Sequence, residues 1–366
     1  MLYDPSMQNA GQAATAALTI LESMSIAIQF PNRAARQQPR RTPWIPSAAE
    51  WMNLRLISHK ADVSPLRYPG GKRKLAVLVG QIFARAQTKP QLLVEPFAGG
   101  ASVAISLLEA GFVENIALSD ADELVASFWK TVFSDQAEEL ARMVKRTKVS
   151  ISERKRIIAS RPRTTLNLAF KCLFMNRTSF SGILHDNAGV VGGKKQRSEY
   201  KIGCRFNQER LAQRIRTLSA LRHRVTFVEC QSYEQTIAMV VAMESTQRAP
   251  ETVFWYFDPP FFERADRLYR KVFKDADHIT FRNWLGCIPG HFVLSYDDVK
   301  ASAELYGDDP RLMRLGMQYV GGAASERPLV SELIISDLMP NGGTKISINH
   351  KTRSVLNANT TRRNRR

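Results

Sequence analysis

One short segment constrains the fold more than any other. It is the apolar run Val253-Phe254-Trp255-Tyr256-Phe257, followed at once by Asp258-Pro259-Pro260-Phe261. β-branched and aromatic residues in unbroken succession read as a buried strand, and two prolines stop it abruptly. The strand therefore delivers an acid, a rigid turn and a ring to the C-terminal edge of a sheet, where open α/β folds bind their ligands. A carboxylate, a proline-fixed carbonyl and a flat ring suit an amino group carried on a planar base. The two acceptors take its N–H bonds and the ring stacks on the base face. Taken alone, Asp-Pro-Pro is more often a surface turn after a core strand, so the rest of the chain has to decide.

The surrounding pattern alternates. Stretches 75–86, 103–110 and 123–133 have helical character, 92–94 and 116–118 are short apolar strands, and strand patterns return at 253–257, 291–295 and 332–336. Strands alternating with helices imply right-handed βαβ units, so the expected fold class is α/β with a Rossmann-like, mostly parallel sheet. Residues 135–250 break the alternation. They are more basic, with helical stretches around a loop-rich centre at 176–207, and read as a separate, largely helical insert. The expected organisation is a disordered extension over 1–60, a main domain formed by 61–134 with 251–345, the insert over 135–250, and a flexible basic tail over 346–366.

Charge narrows the partners. Lys and Arg number 52 against 34 acidic residues, a net charge of +18. Residues 1–60 hold six basic and three acidic residues and 351–366 hold six basic and none acidic, so the body keeps an excess of nine. A basic body points to a polyanion, with nucleic acid ahead of a membrane surface. Cys172, Cys204, Cys230 and Cys287 show no C-x-x-C spacing, so neither a zinc site nor a disulfide framework is expected, and a reducing cytosol is the default compartment. No apolar stretch is long enough to span a bilayer. The segment 13–28 contains Glu22 and lacks a basic leader, which makes it a poor signal peptide.

Three further constellations lie upstream of Asp258. Glu95-Pro96-Phe97-Ala98-Gly99-Gly100-Ala101-Ser102 follows the strand at 92–94 and opens a helix. Glycines there let a ligand approach the backbone, the helix start offers free N–H groups, and the acid suits a ligand ammonium. The spacing departs from G-x-G-x-x-G. Ser119-Asp120-Ala121-Asp122 ends the next strand, where an acid grips ribose hydroxyls in nucleoside-binding sheets. Asp120 is assigned as the ligand and Asp122 as the cap of the following helix. In Leu66-Arg67-Tyr68-Pro69-Gly70-Gly71-Lys72 the Pro-Gly-Gly turn can bring Tyr68 and Lys72 to one pocket.

The order of Arg67-Tyr68-Pro69-Gly70-Gly71-Lys72, Glu95-Pro96-Phe97-Ala98-Gly99-Gly100, Asp120, Asn176-Arg177 and Asp258-Pro259-Pro260-Phe261 resembles Dam-like DNA adenine-N6 methyltransferases over about residues 64–340. The resemblance implies the fold of S-adenosylmethionine-dependent methyltransferases, with S-adenosylmethionine as cofactor, no metal, and a target-recognition domain over 135–250. It implies cofactor contacts from Tyr68, Lys72, Glu95, Phe97, Gly99, Asp120 and Asp258. The catalytic set would be Asp258, Pro259, Pro260 and Phe261, with Asp258 touching both cofactor and target adenine and Phe261 stacking on the flipped base. Phe261 stands where the family more often has tyrosine.

The partner so implied is double-stranded DNA; an RNA adenine-N6 methyltransferase and a catalytically inactive DNA-binding relative are the alternative readings. Asn176, Arg177, Phe180, His185, Lys194, Lys195 and Arg197 are the expected DNA contacts. Arg177 would meet phosphate or guanine, and the three cations after the Gly-Gly turn would meet backbone phosphates. Phe180 and Ile183 can be wedges between bases or ordinary core residues. His185 falls where relatives that read GATC carry arginine, which argues against GATC as the target. A cytoplasmic enzyme of bacterial or phage origin is expected; a monomer is plausible, and nothing in the sequence sets the oligomeric state.

Overall fold

The structure is a computed structural model and describes residues 44–60, 63–67, 72–185, 188–263, 265–318, 329–339 and 344–347. Its strands are β1 (Leu92–Glu95), β2 (Asn115–Asp120), β3 (Val225–Cys230), β4 (Val253–Phe257), β5 (His291–Asp297), β6 (Leu312–Gln318), β7 (Leu329–Ser336) and β8 (Thr344–Ser347). They form one sheet in the order β3-β2-β1-β4-β5-β7-β6-β8. The five strands from β3 to β5 are parallel, β7 runs antiparallel between β5 and β6, and β8 pairs parallel with β6. The fold is thus α/β with a mostly parallel, Rossmann-like sheet. From β1 the chain moves outward through β2 and β3, then crosses back to β4 and β5. The order reverses between β1 and β4, which opens a crevice at their carboxyl ends.

β4 is buried along its whole length. Successive side chains point to opposite faces. Phe254 and Tyr256 join an apolar cluster with Leu93 and Ile116, whereas Val253, Trp255 and Phe257 join a second with Val94 and Phe292. Each large side chain so buried contributes about 1.5–3 kcal/mol. The first face is covered by α1 (Ala48–His59), α2 (Leu75–Phe83), α3 (Ser102–Ala110), α4 (Glu123–Val132), α5 (Ala137–Arg146), α6 (Ile151–Ala159), α7 (Thr165–Thr178) and α8 (Gln208–Ser219). The second is covered by α9 (Tyr233–Ala242), α10 (Asp275–Trp284) and α11 (Lys300–Tyr306). Among the described residues no helix is long and apolar enough to cross a membrane.

Three expectations about organisation need correction. Residues 48–59 belong to α1 rather than to a disordered arm: Ser47 and Glu50 close a capping box, Leu54 and Ile57 are buried, and the Trp51 ring meets Phe112 at 4.7 Å. The sheet resumes at Val225 with β3, well before Val253. And the helices after residue 135 do not build a core of their own, because Leu140, Val144, Phe174 and Leu211 share one cluster with Leu93 and Phe254. The remaining segments assigned to the arm and tail, 1–43 and 348–366, lie outside the described residues.

Candidate active site

β1 ends at Glu95, whose Oε1 accepts the N–H of Ala104 at 2.8 Å from the start of α3. Burial pushes this carboxyl up to about 8, with the Ala104 hydrogen bond opposing and the Asp258 charge reinforcing it. The loop between them is forced into a tight path: Gly99 has φ 44° and Ala101 φ 46°. A left-handed non-glycine residue stores of order 1 kcal/mol and points to a constrained functional loop. Two bonds fix that loop. Gly99 donates its N–H to Asp120 Oδ2 at 2.8 Å, and Trp129 Nε1 donates to the Gly99 carbonyl at 2.9 Å. Asp120 Oδ1 accepts from the Asp122 N–H at 2.8 Å. Burial, then the nearby Asp122 charge, push Asp120 up to about 7. Asp122 caps α4 as expected, accepting from the Leu124 N–H, and also takes Arg270 Nη1 at 2.6 Å.

These groups border a cavity of about 310 Å³. Opposite the glycine loop it is walled by Ser232, Tyr233 and Glu234 at the start of α9, and by Tyr269, Arg270 and Phe273. Phe97 turns into an aromatic group with Tyr233 at 5.6 Å and Phe273 at 5.7 Å. The floor toward β4 is made by Lys72, Tyr256, Asp258 and Pro260.

Asp258 leaves β4 beside the glycine loop because β1 and β4 are adjacent. Both protein donors converge on one of its oxygens: Ser295 Oγ donates to Oδ1 at 3.1 Å, and Lys72 Nζ stands 3.4 Å from the same atom. Lys72 is only 4% exposed and donates to Glu332 Oε1 at 2.7 Å. Burial alone would lower its pKa, but Asp258 and Glu332 outweigh this and hold it well above the ordinary lysine range. Burial raises Asp258 in turn, against the pull of Lys72 and Ser295. The Phe261 ring lies 5.2 Å from Lys72 Nζ and meets Tyr269 edge-on at 5.8 Å. Behind it, Phe262 stacks on His278 at 3.7 Å and donates its N–H to Asp297 Oδ1 at 3.2 Å, so the turn after the prolines is held in place.

The expected DNA-contacting residues divide. Phe180 is 65% exposed, on a turn where Ser181 and Gly182 both have positive φ, so it is not a core residue. Ile183 is half-buried, and so is His185, whose carbonyl accepts the Ala188 N–H at 2.9 Å. Lys194, Lys195 and Arg197 stand exposed on a turn tied by Gln196, which donates to the carbonyls of Val191 and Gly193 and accepts from the Ile202 N–H. Asn176 does not face solvent as expected, and Arg177 is half-buried. Asn176 is 1% exposed; it accepts the Arg67 N–H at 2.7 Å and donates at 2.8 Å to the carbonyls of Arg67 and Gly182. Arg177 donates to the carbonyls of Pro65 and Ser64. A Cβ on Gly182 would lie 1.7 Å from the Arg67 carbonyl oxygen, so the two segments meet at backbone contact. The pair therefore clamps the segment leading to Lys72 against the hairpin carrying Phe180.

This placement predicts a stability effect. Asn176→Ala leaves paired backbone groups without partners, at about 1–3 kcal/mol for each one that water cannot reach. Urea unfolding should show a clearly lowered midpoint, and a wild-type midpoint would return Asn176 to the list of DNA contacts.

Of the residues singled out in the sequence, the structure brings Lys72, Glu95, Phe97, Gly99, Asp120, Asp258 and Pro260 to the one cavity, with Phe261 beside it and Pro259 buried behind. Tyr68 lies outside the described residues. Sequence reasoning missed Ser232 and Tyr233, although Ser232-x-x-Gln235 is a capping-box signal that forms here. It also gave no part to Ser295 or Glu332. Among the described residues no cluster of His, Cys, Asp and Glu is arranged to hold a metal ion. A family model described as D12 class N6 adenine-specific DNA methyltransferase matches residues 68–319, well over half of the chain. No curated protein matches the chain.

Proposed function

Because the chain belongs to the D12 class of N6 adenine-specific DNA methyltransferases, we propose that it methylates the N6 amine of an adenine flipped out of double-stranded DNA at a specific sequence, with S-adenosylmethionine as donor. One observation carries this reading: Asp258 opens onto a nucleoside-sized cavity at the sheet's reversal point, with its Oδ2 taking no protein partner among the described residues.

The residues around the cavity fit the donor. Asp120 offers carboxylate lone pairs to ribose hydroxyls beyond those its two backbone donors use, Phe97 and Tyr233 supply flat apolar faces, and Glu95 is a buried carboxyl whose raised pKa a bound ammonium would draw back down. The donor supplies an electrophilic methyl group. The protein's own task is to prepare the amine, which is a weak nucleophile because its lone pair is delocalised into the ring. Asp258 Oδ2 and the Pro259 carbonyl accept the amine N–H bonds and favour a pyramidal nitrogen, while Phe261 stacks on the base. Positioning and electrostatics suffice, with no covalent intermediate on the protein.

A stacked adenine cannot reach this site, and extruding it costs a few kcal/mol. The exposed ring of Phe180 is shaped for insertion at the vacated stack, and Lys194, Lys195 and Arg197 for the flanking phosphates. Phe180→Ala should therefore leave thermal stability unchanged but lower DNA affinity or kcat by roughly tenfold, the order of losing one stacking contact. Unchanged methylation kinetics would take Phe180 out of the interface.

The function itself is tested by nanopore sequencing of plasmid DNA from a methylation-deficient host expressing the chain. N6-methyladenine at one recurrent sequence is the expected result and gives the target site as well. An unmodified plasmid, with folded protein that binds the donor, would overturn DNA as the substrate.

A further inference from the structure

Glu332 has no part in the reading above, yet it is one of the most deeply buried carboxylates in the molecule. It sits on β7, 2% exposed, and does not line the cavity. Its Oε1 takes Lys72 Nζ at 2.7 Å, against 3.4 Å from that nitrogen to Asp258 Oδ1. Its Oε2 is buried without a hydrogen-bond partner among the described residues. One ammonium thus serves two carboxylates. A fold that needed only to neutralise Asp258 would not bury a second anion, since desolvating each ion costs several kcal/mol. The extra acid must change what Lys72 does.

We propose that Glu332 is a positioning residue for methyl transfer: by drawing the ammonium of Lys72 away from Asp258, it keeps the Asp258 carboxylate available to the target amine. The inference rests on the function proposed above. Lys72 lies between the two acids and is held nearer the one that cannot touch substrate. Among the described residues Asp258 receives only Ser295 and a longer Lys72 contact, both on Oδ1. Without Glu332, Asp258 would be the one carboxylate among the described residues left at ion-pair distance from the ammonium. The Lys72–Asp258 pair would tighten and the carboxylate would become a weaker acceptor for the amine. Lys72 also lies 5.2 Å from the Phe261 ring centroid, so a shift of the ammonium would disturb the expected stacking face as well.

Glu332→Gln keeps the shape and removes the charge. Steady-state kinetics should show kcat reduced about 100-fold, the loss expected when a reacting group is displaced by about 1 Å. KM for donor and DNA should stay within about twofold, since only the reacting step is disturbed. The acidic limb of the kcat profile should move to lower pH, because Asp258 then faces Lys72 alone and an unshared cation lowers a carboxyl pKa. A purely structural role would lower stability and raise both KM values without moving that limb, and this result, or wild-type kcat, would overturn the proposal. If Glu332→Gln does not fold, Glu332→Asp makes the same test with the carboxylate withdrawn by one methylene: slower kcat at unchanged KM supports the proposal and wild-type kcat overturns it. The wild-type chain measured alongside separates the two readings. No transfer by wild type defeats the proposed function, whereas equal transfer by both proteins defeats only the role of Glu332.

Discussion

Replacing Asp258 with alanine is expected to abolish methyl transfer while leaving non-specific DNA binding and folding nearly intact. The carboxylate is the one charged acceptor from β4 at the cavity, and removing a preorganised group aimed at the reacting atom costs about 10²–10³-fold in kcat. A larger loss is expected here, because in the proposed mechanism Asp258 orients the amine, and it also contacts both Lys72 and Ser295. The fold should survive, because Lys72 keeps its shorter contact to Glu332 at 2.7 Å and is not left as an unpaired buried cation. The surface cations proposed to carry non-specific DNA affinity, Lys194, Lys195 and Arg197, lie elsewhere, so that affinity should be untouched. Single-turnover transfer of a labelled methyl group, with fluorescence anisotropy for DNA, separates the outcomes. Near-normal turnover would remove Asp258 from the mechanism. Joint loss of turnover and DNA binding would make it a structural residue.

The legible parts of this protein are those whose signal is local. β4 announces itself because every side chain from Val253 to Phe257 is buried, so nothing polar interrupts the run. Glu95 and Asp120 are legible as strand ends for the same reason, each closing a short apolar strand that leads to the same crevice. β3 escaped because it is an edge strand with half-exposed residues, which blur both alternation and continuity. The insert was read as a separate body because its composition changes, but composition does not say which core a helix shares. Its helices α5 to α8 lie on the same sheet face as α2 and α3, and α9 covers the other. Asn176 and Arg177 show the limit most clearly. A polar pair ahead of an exposed turn looks like a surface contact, and only the fold brings Asn176 to Arg67, 109 positions away. Glu332 lies 260 positions from Lys72 and could not have been paired with it from spacing at all.

Lys72→Met should be the most destabilising single change at this site. The substitution keeps an unbranched apolar stem of similar length but leaves Asp258 and Glu332 facing each other without their cation. Breaking a buried ion pair by removing one partner costs about 3–5 kcal/mol, because an uncompensated charge stays in a poorly solvated place. The deficit should depend on pH in a definite direction. Both carboxyls already have raised pKa values from burial, and Lys72 is the main influence holding them down. Without it they rise further. A carboxyl whose folded pKa exceeds its unfolded value binds its proton more tightly in the native state, so its contribution is fully present below the unfolded pKa and is lost as pH climbs through the folded one. The variant should therefore be weakest relative to wild type at pH 8 and recover part of the difference as the pH falls toward 5, where the acids can neutralise themselves. Urea unfolding of both proteins at the two pH values measures this directly. A deficit of the same size at both would mean that lost packing, not stranded charge, is what the lysine prevents.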